Sequence, residues 1–380
     1  MDDTPTMSFH RDLALALTGT LLALALPAAS ARSFQAEGAD TGAGLGARYV
    51  AQGGTGVATS DDVHALYFNP AGLVGVQGFE LSVSRQLNQR LRPINFLGAA
   101  WRLPLPQALG WKATAAAAFY PRIHARASGA FDDSDFESLF LRYLLPGIDG
   151  TFDGDVNTKT KSWRLGLGLA PLQDSPWSGG LYLERIDCRS DFCGVHATSN
   201  GFTTSSTGAK ATGVGAGLRY RWDEGLSFGA SLSDLRTRLS IQSTTTDNAG
   251  TRSSVVDGNF PRKLVLGAAW RWRADTTAAA DFEVMKGRYG QSSIDLRVLR
   301  LGLEQRRGPW AWRGGAVLPL KIDSSNTGRL HAPFPFAPTL GGGWRGAHLK
   351  VDLAIYVHAV MSMHKDRASP AADLSLSLDY

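Results

Sequence analysis

Three histidines near the end of the chain, His348, His358 and His364, are the side chains best suited to acid–base chemistry. A hydrolase would also need a nucleophile and a carboxylate within hydrogen-bond reach of an imidazole. The spacing along the chain assigns neither a serine nor a carboxylate to any of these histidines. We therefore expect no catalytic residue and no enzyme activity.

Two other segments could suggest ligand loops. The glycine-rich stretch 42–73 has no Lys-Ser or Lys-Thr after its glycines and no preceding strand of a βαβ unit, so it does not predict a phosphate loop. The stretch 149–157 carries Asp149, Asp153, Asp155 and Asn157. Because this spacing departs from the calcium loop of roughly twelve residues, it predicts a turn-rich loop. The sequence thus indicates neither a metal nor a cofactor.

The N-terminus predicts export. Residues 13–26 form an apolar run, and Ala29-Ser30-Ala31 follows as a small-x-small cleavage pattern. Because the run is shorter than the ~20 apolar residues of a membrane-crossing helix, we expect residues 1–31 to be a cleaved signal peptide rather than an anchor. In an oxidising compartment Cys188 and Cys193 are expected to close a short disulfide loop. A metal pair is the weaker alternative, since no second Cys or His pair accompanies them.

Composition favours a large β structure. Glycine supplies 43 of 380 residues and charged residues only 19%, against averages of about 7% and about 25%. A hydrophobic content of 43% excludes a disordered chain. Beyond residue 30 no apolar stretch approaches the ~20 residues of a membrane helix. The formal charge of +5 could suggest nucleic acid, but Arg and Lys occur singly between apolar residues, so we expect no nucleic-acid partner.

Alternation of apolar and polar residues is the main pattern in the chain. Every second residue from Leu349 to Val357 is apolar, while Lys350 and Asp352 fall on the opposite face. A period of two is that of a β-strand and not of a helix. The pattern predicts about fourteen strands, at 79–88, 93–102, 111–122, 161–170, 179–188, 208–222, 225–240, 259–273, 275–286, 295–306, 309–319, 338–346, 347–358 and 372–380. The strand at 225–240 changes phase near Asp234, where we expect a bulge.

Three observations favour a membrane barrel over a soluble sandwich, which also alternates. Aromatic residues collect at strand ends, where a barrel has its interfacial girdles. They are Trp101, Trp111, Tyr120, Trp163, Tyr220, Trp222, Trp270, Trp272, Trp310, Trp312 and Tyr380. The last residues, 374–380, place three leucines and the terminal tyrosine on one face, which resembles the final strand of outer-membrane barrels. Links between strands alternate between short turns and mostly long outer loops, the long ones being 123–160, 189–207, 241–258, 320–337 and 359–371.

The predicted fold is therefore all-β, a transmembrane antiparallel up-and-down β-barrel. Within hydrocarbon every backbone N–H and C=O must be paired, so the sheet has to close on itself. Outward Leu, Val and Trp side chains face lipid, and inward polar side chains line the lumen. The polar candidates for the lumen are Arg164, Arg219, Arg221 and Arg271. We expect them to pair with carboxylates of the wall or of the N-terminal segment, with substrate contact as the alternative.

Residues 32–78 do not alternate and carry short motifs in a fixed order. These are Gly46-Ala47-Arg48, Gly53-Gly54-Thr55-Gly56-Val57-Ala58, Asp61-Asp62 and Asn69-Pro70-Ala71-Gly72-Leu73. The acidic pair and the Asn-Pro pair predict the start and the end of a short helix over 63–68. The order of motifs resembles the N-terminal segment of the FadL/TodX-type outer-membrane transporters of hydrophobic compounds. The segment Phe260–Trp270 is similar to a later strand of that family.

The resemblance implies a fourteen-stranded barrel whose N-terminal segment folds into the lumen as a hatch. Asn69, Pro70, Ala71 and Gly72 match the hatch motif of the family. In that family hydrophobic ligands bind from outside and leave sideways through a gap in the wall beside the hatch. PorV-type secretion shuttles share the Asn-Pro-Ala segment, so the motif indicates the fold more firmly than the cargo.

The outer link 123–160 contains a predicted amphipathic helix. Ser134 and Glu137 form a capping box at its start, and Pro146 ends it. Its apolar face carries Phe136, Leu139, Phe140, Tyr143 and Leu144. This face either packs on the barrel rim or, as helices in outer loops of the family do, receives an apolar ligand. In the second case each buried CH₂ of the ligand gains about 0.8 kcal/mol.

Sequence and resemblance together predict a signal peptide at 1–31, a hatch at 32–78 and a monomeric barrel at 79–380 in the bacterial outer membrane. The expected function is passive uptake of hydrophobic small molecules such as long-chain fatty acids or aromatic hydrocarbons. The expected partners are that ligand, outer-membrane lipid and the outer-membrane barrel assembly machinery. Two alternatives stay open: a non-transporting barrel that binds a partner protein, as secretion shuttles do, and a general porin.

Overall fold

Strands make up most of the chain. The computed structural model describes residues 32–87, 94–132, 134–138, 152–188, 197–199, 202–206, 209–247, 250–289, 292–325, 328–329 and 335–380. The predicted signal peptide lies outside the described residues. Within them, no helix is both long enough and apolar enough to cross a membrane.

In chain order the strands are β1 Ser33–Glu37, β2 Phe79–Gln86, β3 Phe96–Arg102, β4 Trp111–Phe131, β5 Phe152–Pro171, β6 Trp177–Cys188, β7 Ala197–Ser199, β8 Phe202–Ser206, β9 Ala209–Arg221, β10 Leu226–Leu235, β11 Arg238–Asp247, β12 Gly250–Asn259, β13 Arg262–Arg273, β14 Thr276–Tyr289, β15 Ser292–Arg307, β16 Trp310–Ser324, β17 Gly328–Arg329, β18 Ala337–Arg345, β19 Leu349–Val357 and β20 Pro370–Asp379. The α-helices that lie wholly within the described residues are α1 Ala47–Val50, α2 Ala65–Phe68 and α3 Ala359–Lys365, and residues 136–138 are also helical, where the sequence predicts a helix. Two 3₁₀ helices span Pro70–Gly75 and Gln107–Leu109.

Fourteen of the described strands close into one antiparallel barrel, as the alternation predicts. Their order is β2-β3-β4-β5-β6-β9-β10-β13-β14-β15-β16-β18-β19-β20. The last strand, β20, pairs back onto β2 with Leu378 opposite Leu81 and Asp373 opposite Gln86. Closure pairs the backbone of every wall strand with two neighbours, which is the requirement for a sheet surrounded by hydrocarbon.

Side chains alternate between the outer and inner faces of this barrel. On β5, Trp163, Leu165 and Leu167 are exposed on the outside, whereas Arg164 between them is buried inside. Most of the predicted girdle residues are exposed in the same way: Trp101, Trp111, Trp163, Trp222, Trp270, Trp272, Trp310, Trp312 and Tyr380. Tyr120 is a correction to that prediction, because it shares the inner face of β4 with Ala116 and Ala118 and is only 1% exposed.

The main difference from the predicted strands lies at the long-loop end. β4 and β5 continue to Phe131 and Phe152 and stay paired along their length, although 123–160 was expected to be a loop. Similarly, β11 and β12 form a hairpin that occupies the predicted link 241–258 and begins at Arg238, inside the predicted strand 225–240. The sequences of these extensions do not alternate strongly between apolar and polar residues, so their pairing was not predicted. The expected bulge does occur, with a register shift between Leu232 and Leu235 and a φ of 60° at Asp234.

Candidate functional site

The lumen is filled by residues 32–78, which we call the hatch. Its leucines Leu45, Leu66 and Leu73 are at most 1% exposed and pack in one cluster with wall residues such as Phe96 and Tyr182. Full burial of a leucine side chain stabilises by about 1.5–3 kcal/mol. The hatch is therefore held first by an apolar core that it shares with the barrel wall.

Inward-facing glycines of the wall let the hatch backbone come close. A Cβ built on Gly217 of β9 would lie 1.9 Å from Oδ1 of Asn69, and one on Gly180 of β6 would lie 2.4 Å from the carbonyl carbon of Pro70. Comparable close approaches to the hatch occur at Gly166, Gly168, Gly229, Gly267, Gly302, Gly315 and Gly341. Since these distances are below any real Cβ contact, only glycine fits there. Many of the glycines of the chain thus lie together, in a ring on the inner wall at the level of the hatch.

The predicted hatch motif packs against this ring at β6 and β9. Asn69 is fully buried, and its Nδ2 donates to the carbonyl oxygens of Val57 at 2.8 Å and Leu218 at 3.0 Å. Its Oδ1 accepts from the backbone N–H of Ala71 at 3.1 Å, which caps the 3₁₀ helix that begins at Pro70. One side chain therefore joins two parts of the hatch to strand β9. Ala71 and Gly72 are buried beside it, and a Cβ on Gly72 would meet the carbonyl oxygen of Ser60.

The helix predicted over 63–68 is a single turn, α2, which begins at Ala65. Asp62 explains the later start, because its Oδ1 accepts from the backbone N–H of His64 at 2.9 Å and forms a turn ahead of the helix. The carboxylate of Asp61 instead pairs with the guanidinium of Arg48. The acidic pair is thus committed to hatch contacts more than to the helix dipole.

Polar side chains of the wall bind hatch backbone groups. Asp281 of β14 accepts the N–H groups of Gly56 at 2.8 Å and Val57 at 3.0 Å. Arg164 of β5 donates to the carbonyl oxygens of Leu66 at 3.1 Å and Tyr67 at 3.2 Å. A third residue, Arg219 of β9, donates to the carbonyl oxygen of Ser60 at 3.0 Å. These bonds satisfy irregular backbone that has no strand partner, which is the requirement for burying it.

Ion pairs add a second set of tethers. Arg48 of the hatch lies 3.3 Å from Asp62 and 3.6 Å from Glu304 of β15. Glu304 also accepts from Arg313 of β16 at 2.7 Å, and Arg313 in turn donates to Asp352 of β19 at 2.7 Å. A chain of alternating charges therefore links the hatch to three wall strands. Glu304 and Asp352 were not singled out from the sequence, since single carboxylates between apolar residues occur on most of its strands.

The hatch also enters the wall itself. β4 pairs with β3 as far out as Phe119 opposite Leu97, and farther out it pairs with β1 from His124 opposite Glu37. We call the intervening residues 120–123 of β4 the seam. There the N–H groups of Ala39 and Asp40 donate to the carbonyl oxygens of Pro121 at 3.1 Å and Arg122 at 2.9 Å.

Arg122 ties the seam to both sides. Its guanidinium donates to Asp40 of the hatch at 2.8 Å and to both carboxylate oxygens of Asp234 on β10 at 2.6 and 3.0 Å. Burial by itself raises the pKa of Asp40, but the charges of Arg122 and Lys263 outweigh burial and hold that pKa below its ordinary value. Asp40 is therefore ionised at neutral pH, and the latch between Asp40 and Arg122 is a charge-assisted hydrogen bond.

Comparison with solved structures gives the same architecture. The toluene transporter TodX of Pseudomonas putida matches with a TM-score of 0.56 and 15% identity, over 89% of this chain and 99% of that chain. The Ralstonia pickettii toluene transporter TbuX gives 0.56 and 14% over 89% and 99%, and a Pseudomonas aeruginosa FadL homologue gives 0.55 and 12% over 91% and 98%. The chain has the FadL/TodX barrel fold. Protein-family models and curated proteins gave no match.

In this FadL/TodX fold, an aromatic cluster covers the long-loop end of the seam. The ring of Phe34 on β1 lies 5.9 Å from that of Phe136 and 5.0 Å from that of His364 on α3. Glu137 pairs with His364 across the same contact. Phe136 belongs to the predicted apolar helix face, whereas Leu139, Phe140, Tyr143 and Leu144 lie outside the described residues. The ligand role of that face stays a prediction.

The other predicted site residues divide in two. Arg164 and Arg219 contact the hatch as described above. Arg221 and Arg271 do not line the filled lumen, because both are exposed near the short turns, where Arg221 lies 3.8 Å from Asp174. The alternating pattern predicted the correct face of the wall for Arg221 and Arg271, but not their position along the barrel axis. Cys188 ends β6 and Cys193 lies outside the described residues, so the disulfide stays a prediction.

Asp62, His64 and Ser84 form a hydrogen-bonded network with the residue types of a catalytic triad. Nδ1 of His64 lies 3.3 Å from Asp62, and its Nε2 lies 3.4 Å from Oγ of Ser84 on β2. However, Ser84 is 1% exposed and shares a 2.7 Å hydrogen bond with Ser375. The His64 ring is also stacked on Phe96 at 4.4 Å. Because Ser84 is buried, a substrate carbonyl cannot reach its Oγ. The network therefore joins the hatch to the wall and does not form a nucleophilic site.

Proposed function

We propose that the protein is an outer-membrane channel for passive uptake of hydrophobic small molecules, such as aromatic hydrocarbons or long-chain fatty acids. The observation that carries this proposal is the seam, beyond which β4 pairs with strand β1 of the hatch instead of with β3. A displacement of Gly38, Ala39 and Asp40 would open the lumen and the wall at one place. Such an opening suits an apolar solute, which can then leave into lipid instead of water.

The order of events follows from the positions of the groups. An apolar solute first binds at the long-loop end, near Phe34 and Phe136, where burial of its surface supplies the free energy of capture. The hatch strand β1 then separates from β4, and the latch between Asp40 and Arg122 breaks. The solute passes through the seam beside Phe96 and enters the hydrocarbon layer. Neither a cofactor nor a covalent step is required.

The filled lumen supports this function over that of a general porin. A porin for polar solutes needs a continuous wet channel, whereas hatch side chains such as Leu45, Leu66 and Leu73 are buried inside the barrel and pack against its inner wall. TodX and TbuX, which share the fold, are described as toluene transporters. They make a monoaromatic hydrocarbon a rational first substrate to test.

The test is uptake into proteoliposomes that contain the purified barrel and an enzyme that consumes the solute inside. We expect labelled toluene or oleate to enter faster than in protein-free vesicles, and sucrose to be excluded. Replacing Asn69 with Ala should impair uptake, because it removes the bonds to Val57 and Leu218 that keep the hatch in the arrangement from which it opens at the seam, while the barrel still assembles. Wild-type uptake by Asn69→Ala would argue against a gating hatch. Sucrose entry would support the porin, and stoichiometric recovery of a protein cargo would support the shuttle.

A further inference from the structure

A charged cleft lies on the outer wall of the barrel at its long-loop end. It has a volume of about 550 Å³ and is formed by β14, β15, β16 and β17. Its charged lining residues are Lys286, Asp295, Lys321, Asp323 and Arg329. We call it the outer-wall cleft. None of these residues contributes to the hatch, the seam or the aromatic cluster.

The direction of these side chains follows from their neighbours. Val298 and Leu296 on β15 pack in the cluster that contains hatch residues such as Ala43, so they point into the barrel. Because successive side chains of a strand point to opposite faces, Arg297 and Asp295 point outward. In the pairing, Asp295 stands opposite Lys286 and Asp323, and Asp323 stands opposite Arg329. The charged row of the cleft is therefore on the outside of the barrel.

The cleft begins where the outward apolar rows end. Phe282, Leu299 and Leu318 form one outward row. Lys286 lies four residues farther along β14, which is about 13 Å along the strand and about 10 Å along the axis of a barrel tilted by about 40°. If the apolar rows contact hydrocarbon, as the proposed membrane location requires, the cleft lies at the level of the lipid headgroups of the outer leaflet.

The charges of the cleft leave a cationic excess. Lys321 lies 2.8 Å from Asp295 and 3.0 Å from Asp323, and Arg297 lies 3.4 Å from Asp295. Lys286 is 4.0 Å from Asp295 and its side chain is 60% exposed. Among the described lining residues, three cationic side chains, Lys286, Lys321 and the exposed Arg329, thus face two carboxylates, and Arg297 lies beside the cleft. Asp295 and Asp323 hold Lys321 in place, while the remaining positive charge faces outward.

We propose that the outer-wall cleft binds the phosphate group of a phosphorylated lipid headgroup in the leaflet around the barrel. Ammonium and guanidinium groups from three strands converge on one cleft, and they form strong charge-assisted hydrogen bonds with phosphate oxygens. The acyl chains of the same lipid would lie along the row of Phe282, Leu299 and Leu318 directly beneath. A single ligand of this kind satisfies both the charge and the apolar rows. This inference rests on the membrane location in the proposed function, but not on transport.

The experiment measures lipid binding to the full-length barrel in detergent by native mass spectrometry and by titration. The probes are a bisphosphorylated, acylated glucosamine disaccharide (lipid A), its enzymatically dephosphorylated form, and inorganic phosphate. The variant Lys286→Ser/Lys321→Ser/Arg329→Ser is expected to bind lipid A at least tenfold more weakly than the wild type. A control with three exposed basic residues at the short-turn end replaced, Lys112→Ser/Arg273→Ser/Arg307→Ser, should bind it as tightly as the wild type.

Retention of the charge provides a second variant that guards against misfolding. Lys286→Arg/Lys321→Arg/Arg329→Lys should restore binding, and heat-dependent migration in gels should show all variants folded. Equal binding of the dephosphorylated lipid, or unchanged binding by the triple serine variant, would overturn the proposal. Inorganic phosphate that binds as tightly as lipid A would overturn the assignment to a lipid. Toluene uptake by the serine variant should be unchanged, so failure here is distinct from failure of the channel function.

Discussion

We expect the latch between Asp40 and Arg122 to set how readily the seam opens. Replacing Asp40 with Asn keeps the shape of the side chain and its acceptor oxygen but removes the charge. A hydrogen bond to a charged group contributes about 1.5–3 kcal/mol and a neutral one about 0.5–1.5 kcal/mol, so Asp40→Asn should weaken the closed seam by roughly 1–1.5 kcal/mol. Arg122 keeps its two bonds to Asp234, so no buried charge is left without a partner.

A change of that size raises the ratio of open to closed seam about five- to twelvefold, provided that the open state stays a minor one. We therefore expect Asp40→Asn to increase the initial rate of toluene uptake into proteoliposomes by about that factor. Limited proteolysis between Gly38 and Asp40 should accelerate in parallel. Both measurements are needed, because faster cleavage alone would report a loosened hatch without a transport role.

The matched control is Asp174→Asn, which removes an exposed carboxylate that pairs with Arg221 at 3.8 Å at the short-turn end. It should change neither uptake nor cleavage, since exposed ion pairs contribute little. If Asp40→Asn leaves both rates at the wild-type level, the latch does not limit opening. If cleavage accelerates but uptake does not, solutes do not pass through the seam.

Three further outcomes are expected. Gly217→Ala should destabilise the hatch by about 1–3 kcal/mol in thermal unfolding, because the new Cβ overlaps Asn69, while Gly179→Ala, whose nearest neighbour is 3.9 Å away, should be neutral. Burial lowers the pKa of His358 to about 4, so docking of α3 should be fully stable above about pH 6.5 and weaken as pH falls toward 4. Hydrogen exchange of α3 tests this prediction, and unchanged protection at pH 4 would contradict it. Phe136→Ala should weaken toluene binding about three- to tenfold in titrations, and unchanged affinity would exclude the aromatic cluster as the capture site.

Much of the barrel was predictable because its physics is local in sequence. A strand that separates lipid from a polar lumen must alternate, so the positions of β5, β13 and β19 follow from every second residue. The motif around Asn69 likewise identified the segment that fills the lumen. The alternating pattern shows which face of the wall a residue occupies, but not how far along the barrel axis it lies. For this reason Arg271 was predicted to contact the hatch or the wall, although it lies near a short turn.

The contacts that hold the hatch could not be predicted from the sequence. Asp40 meets Arg122, and Arg122 meets Asp234, through a closed sheet that brings together residues about 80 and 112 positions apart. Each of these three residues has other charged residues near it in the sequence, so the sequence does not show which of them form the ion pairs. Tyr120 shows the same limit, since its type suits an interfacial girdle and only the register of β4 places it inside.

The position of the hatch has a consequence for biogenesis. Residues 32–78 precede the first wall strand, yet they end up enclosed once β20 docks on β2. Because the hatch packs directly against the inner wall, its insertion into a finished barrel would require the close contacts at Gly217 and the other wall glycines to form one after another in a confined space. Insertion and zipping of the strands must therefore occur around a segment already in place. A substitution in the ring of wall glycines should therefore first slow folding of the barrel in the cell, before it reduces the rate of solute uptake.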